Sequence, residues 1–101
     1  MEKTGTIRLI GVSRKQNERL QWVEDELPPR EIFCTVKSIT RAEWAAVGHR
    51  GVKPAMCATV WAEEYEGELT AEYGGQRYGI YRTFQPNPEE TELYLEKKGG
   101  V

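Results

Sequence analysis

Short runs of alternating apolar and polar residues, with no sustained helical period, dominate this chain. Residues 6–12 put Ile7 and Leu9 on one side, and residues 20–26 carry Trp22 and Val23 up to Pro28 and Pro29, which end the run by removing backbone donors. Residues 31–39 set Ile32, Cys34 and Val36 on one face, while residues 55–62 set Met56, Ala58 and Val60 against Cys57, Thr59 and Trp61. Tyr73-Gly74-Gly75-Gln76 is the strongest local signal, because paired glycines supply the positive φ angles of a two-residue hairpin turn. Its arms are residues 68–73, with Leu69, Ala71 and Tyr73 on one face, and residues 76–84, with Tyr78 and Ile80. Residues 92–98 form a last strand with Leu93 and Leu95 inward, leaving a frayed tail.

One segment departs from this pattern. Thr40-Arg41-Ala42-Glu43 reads as a capping box, Ile39 and Trp44 stand as a hydrophobic staple, and Gly48 is placed to end the helix in a left-handed conformation. A short helix over residues 41–47, resting on whatever Trp44 packs against, therefore interrupts the strands. The expected fold is mainly β: a small antiparallel barrel or sandwich in one domain spanning residues 1–101, with one short helix in a long inter-strand loop.

Composition narrows the function more than the fold. Fourteen basic and sixteen acidic residues give a net charge of -2, so no global attraction to nucleic acid or to anionic membranes is expected. No apolar run approaches the ~20 residues of a membrane span and the first residues lack a signal peptide's apolar core, so the expectation is a protein made and kept in the cytoplasm. The local distribution of charge is polar: Lys37, Arg41, Arg50 and Lys53 make one stretch basic, and Glu63, Glu64, Glu66, Glu68 and Glu72 follow without a basic residue among them.

Catalytic chemistry has little to build on. His49 is the only histidine and stands in a turn-like stretch without a partner motif. Cys34 alternates with core residues as a small hydrophobe would, and the two cysteines, in no metal-ligand spacing, are expected to be free thiols. Gly74-Gly75 lacks the helix and lysine of a phosphate loop, and the glutamates lack the spacing of a calcium loop. Neither an enzyme nor a cofactor is expected. A small barrel binding single-stranded nucleic acid through Trp61, Tyr78, Tyr81 and Arg82 is the alternative, against which stands the lack of excess positive charge.

Four stretches, in this order and spacing, carry a resemblance: Glu31-Ile-Phe-Cys-Thr-Val-Lys-Ser-Ile-Thr-Arg-Ala-Glu-Trp, Glu64-Tyr-Glu-Gly-Glu, Tyr73-Gly-Gly-Gln-Arg-Tyr-Gly-Ile-Tyr-Arg-Thr and Glu92-Leu-Tyr-Leu-Glu-Lys-Lys-Gly-Gly. From about residue 6 onward the chain resembles the head-tail joining, or head closure, proteins of phages and prophages of Gram-positive bacteria. The resemblance implies a structural protein of the virion, a β-barrel assembled in the host cytoplasm. It would dock as a homo-oligomeric ring beneath the portal and adaptor rings, close the channel after DNA packaging and offer a surface to the tail protein. It also implies that the connection at residues 40–53 faces the channel. Thr40, Arg41, Trp44, His49, Arg50 and Lys53 are then the expected channel or subunit-contact residues. Packaged DNA, or an acidic edge of the neighbouring subunit formed by Glu63, Glu64, Glu66, Glu68 and Glu72, is their expected complement.

Overall fold

The computed structural model describes residues 5–97. Six strands close into an antiparallel barrel: β1 (Gly5–Ile10), β4 (Arg30–Lys37), β5 (Pro54–Trp61), β8 (Glu90–Lys97), β7 (Gln76–Asn87) and β6 (Thr70–Tyr73), in that spatial order, with β6 pairing back onto β1. Closure removes the exposed strand edges of an open sheet. The alternation seen in the sequence fills the interior: Ile7, Leu9, Ile32, Cys34, Ala58, Val60, Ala71, Ile80, Leu93 and Leu95 form one buried cluster. The centre is thus a packed core rather than a ligand cavity.

The hairpin turn forms as expected, with Gly74 and Gly75 at φ angles of 60° and 80° and Tyr73 paired with Gln76. Leu69 departs from expectation. It precedes β6 and is 71% exposed, while its neighbour Glu68 is buried. The expected tail begins at the end of β8, and residues 98–101 lie outside the described part of the chain.

Two excursions leave the barrel. Between β1 and β4 the chain forms a separate two-stranded hairpin, β2 (Val12–Gln16) with β3 (Trp22–Glu26). The single run expected over residues 6–12 is therefore split at Gly11, and β2 was not expected at all; its sequence Val-Ser-Arg-Lys-Gln has no apolar alternation to announce it. Between β4 and β5 lies helix α1 (Arg41–Gly48), capped by the Thr40 hydroxyl, which accepts from the Glu43 amide at 3.1 Å. The remaining details of that expectation need correction. Glu43 does not fold back on the cap, Trp44 is 49% exposed instead of packed, and the left-handed glycine is Gly51, at φ 79°, not Gly48. Glu43 and Val47, one turn apart on the same face, are the buried positions that hold α1 to the barrel.

Candidate functional site

Helix α1 packs on the outer wall against β5 and bonds to β7, the two neighbours of β8. Glu43 accepts from the Tyr81 hydroxyl at 2.7 Å and from the Arg82 guanidinium at 2.9 and 2.5 Å. Two successive residues of one strand normally point to opposite faces. Here the register of β7 against β8 shifts between Ile80 and Arg82, so Tyr81 is the extra residue of a bulge and both side chains reach the outside. The hydrogen bonds and charge of Arg82 hold the Glu43 carboxyl below the usual range and raise Arg82 in turn. Burial and the hydrogen bond to Glu43 push Tyr81 up, keeping it a donor.

The network continues along the wall. Arg82 stacks 3.7 Å from the Tyr94 ring centroid, the Tyr94 hydroxyl donates to Glu92, and Glu92 accepts from Lys37 at 2.8 Å. Cys57 alternates with the inward Ala58 and is buried on the outer side of β5 near Tyr94 and Arg82; burial pushes its thiol up to about 11. Burial also raises Cys34. Both are free thiols, protonated at neutral pH and poor nucleophiles.

A second carboxylate–arginine pair lies across the barrel. The loop between β5 and β6 opens with a 3-10 turn, Ala62–Glu64, and wraps over Arg30, which donates to the Glu64 carbonyl at 2.8 Å and to the Glu68 carboxylate at 3.1 and 2.5 Å. Glu68 also accepts from the Glu66 amide, and its carbonyl accepts from the Tyr65 hydroxyl. Burial alone would raise the Glu68 carboxyl, but the hydrogen bonds from Arg30 and the backbone outweigh it and lower it. This pair floors a groove of about 450 Å³ whose walls are Val12 and Leu27 at the root of the β2–β3 hairpin and Leu69 on the loop.

The residues singled out in the sequence are distributed accordingly. Arg41, Trp44, His49, Arg50 and Lys53 are exposed on and just after α1, with Thr40 as the cap. The glutamates do not form one acidic edge. Glu68 is buried on Arg30, Glu66 lies 3.7 Å from Arg30, and Glu72 lies 3.7 Å from Arg8; Glu63 and Glu64 belong to the 3-10 turn. The sequence run concealed its cations because Arg30 and Arg8 come from β4 and β1. Among the aromatic residues of the nucleic-acid alternative, Tyr81 and Arg82 are engaged with Glu43, and Tyr78 packs against the core. They are not an open stacking platform. Trp61 is half-buried at the end of β5.

Among the described residues no helix is long and apolar enough to cross a membrane, and no three His, Cys, Asp or Glu side chains converge as metal ligands. No protein-family model matches the chain, and a search of curated proteins finds no match to it. What the surface offers instead is apolar area. Val12, Leu20, Trp22 and Leu27 are exposed on or beside the β2–β3 hairpin, Leu69 on the adjoining loop, and Trp44 on α1. Sequence reasoning took Trp44 for a packed residue, set Leu69 on a strand face with Ala71 and Tyr73, and gave the hairpin no role; a strand partner for residues 20–26 was the signal to look for.

Proposed function

We propose that this protein is a structural assembly subunit, the head-tail joining component of a tailed phage or prophage. Its barrel would sit as a ring beneath the portal and adaptor and present its far side to the tail. The observation that carries this reading is the contrast between a filled barrel interior and large apolar side chains left in water on segments outside the barrel, Trp22 on the hairpin and Trp44 on α1. Exposed aromatic residues beside charged ones are the composition of protein interfaces. The sequence resemblance supplies the identity of the partners.

The helix packed on the barrel wall changes the picture of residues 40–53. They present a firmly based knob, with Glu43 and Val47 as its anchors, instead of a loop free to cross a channel. Packaged DNA remains a fitting neighbour for Arg41, Arg50 and Lys53. The nucleic-acid alternative is weaker because Tyr81 and Arg82 are occupied within the fold. Electron micrographs of a portal–adaptor assembly incubated with the protein provide the test. An added ring of density on the adaptor is expected. Unchanged assemblies, together with salt-dependent binding of single-stranded DNA in a parallel titration, would overturn the proposal in favour of the alternative.

A further inference from the structure

Two surfaces of this barrel are opposite in charge, each with exposed apolar side chains, yet the fold prevents them from meeting. The knob is α1, anchored to β5 and β7, the neighbours of β8; Trp44 and Arg41 are exposed on it, and Arg50 and Lys53 just after it. The groove lies where β1 ends, beside the first residues of β4 and β6, and its apolar walls are Val12, Leu27 and Leu69. In a closed six-strand order of β1-β4-β5-β8-β7-β6, β8 and β1 are three places apart, on opposite walls. No rearrangement short of opening the barrel brings knob and groove of one chain together.

We propose that the occupant of the groove is a second copy of this chain, whose Trp44 knob inserts between Leu27 and Leu69. This deepens the assembly role proposed above, and the observation behind it does not depend on that role. The groove, about 450 Å³, has room for the Trp44 indole together with the side chains that flank it. Glu68, the buried carboxylate at its floor, is taken by Arg30, so an indole entering the groove strands no buried charge. Glu24 lines the groove beside exposed Glu66, and these acids face the arginines and lysine that flank Trp44. Glu68 is buried on Arg30 and Glu72 is held by Arg8, so neither takes part; Glu66 also lies 3.7 Å from Arg30, but its side chain is 68% exposed and remains open to a partner.

Because the two surfaces differ and occupy opposite walls, each copy uses one of each and the contact propagates. A rotation that closes gives a ring; one that does not gives a filament. Such a heterologous contact has a signature that a symmetric dimer lacks. Trp44→Glu spoils the knob and Leu69→Arg spoils the groove, each by setting like charge against like. Both positions are exposed, so neither change disturbs the core. In sedimentation equilibrium at low salt the unaltered chain should associate beyond the dimer as its concentration rises. Each variant alone should associate at least about tenfold more weakly. An equimolar mixture of the two should form dimers and stop there, since the intact knob of one fits the intact groove of the other. An unaltered chain that remains monomeric at every concentration, variants that associate as it does, or a mixture that stays monomeric would each overturn the proposal. A chain that fails here but still binds the adaptor ring leaves the assembly role standing; one that passes here and ignores the adaptor does the reverse.

Discussion

Both walls of the barrel hold a non-barrel segment in place with a glutamate sunk against an arginine, but they do so by different means. Under α1, Glu43 relies on side chains alone, the Tyr81 hydroxyl and Arg82, which a bulge turns outward together. Under the loop before β6, Glu68 is gripped by Arg30 and also by the backbone amide of Glu66, while Arg30 binds the Glu64 carbonyl. When its cation is lost Glu43 keeps only the Tyr81 hydroxyl, whereas Glu68 keeps backbone donors that the chain itself holds in place. The helix wall therefore depends on few residues, and the groove wall on several.

The sharpest way to break this comparison is to remove each cation. Arg82→Ala leaves a side chain only 9% exposed with a neutral phenol as its remaining partner. It should cost about 3 kcal/mol in urea unfolding, at the low end for a broken buried pair because Arg82 itself is 37% exposed. Arg30→Ala should cost about 2 kcal/mol, since Glu68 retains its amide donor. Amide exchange should rise in α1 for the first and in residues 62–69 for the second, and an increase shared by both segments in either variant would show that the walls are not independent.

Acid titrates the two pairs together. Glu43 and Glu68 both sit below their ordinary value of 4.5, so the folded state binds their protons less readily than the unfolded chain. Their contribution to stability is complete above about pH 4.5 and is lost as the pH falls through the lower folded values. Glu92, lowered in the same sense, adds to it: burial opposes the shift, but Lys37 and the Tyr94 hydroxyl outweigh that. The urea midpoint should fall over that range in the unaltered chain and fall less in the Arg82→Ala variant.

A smaller effect confines itself to one wall. Thr40→Ala removes the acceptor of the Glu43 amide and should cost about 1 kcal/mol, with faster exchange at the start of α1 and none around Arg30. Smallest of all, Trp44→Glu and Leu69→Arg should each change stability by less than about 0.5 kcal/mol in the unassociated chain, measured at low concentration. A larger loss would mean that these exposed side chains support the fold.

The barrel was legible in the sequence wherever a face is simply inside or outside. Ile7 and Leu9, Ile32 and Cys34, Ala58 and Val60, and Leu93 and Leu95 all fall inward as their alternation indicates, and Gly74-Gly75 turns as paired glycines should. The helix was legible through Thr40, but its orientation was not. Trp44 is the most apolar residue of α1 and invites burial, while Glu43 reads as a capping partner. The structure reverses the two, because the barrel wall beneath α1 carries Tyr81 and Arg82 and offers a carboxylate three donors. That reversal depends on a bulge at Tyr81, which alternation cannot reveal. The glutamate run misled in a complementary way: consecutive acids look like an open edge until strands from elsewhere bring Arg30 and Arg8 to them.

The central claim, that opposite walls of this barrel carry a knob and the groove that receives it, is tested most directly by disulfide trapping at Arg41 and Glu66, exposed positions beside Trp44 and Leu69 that leave both in place. Its background is low, since Cys34 and Cys57 are both buried. A chain carrying Arg41→Cys and Glu66→Cys together should oxidise to a ladder of dimers, trimers and longer species, and the two single variants should couple when mixed but not alone. Single variants that dimerise by themselves as readily as they couple in the mixture, or a double variant that yields no ladder, would contradict it.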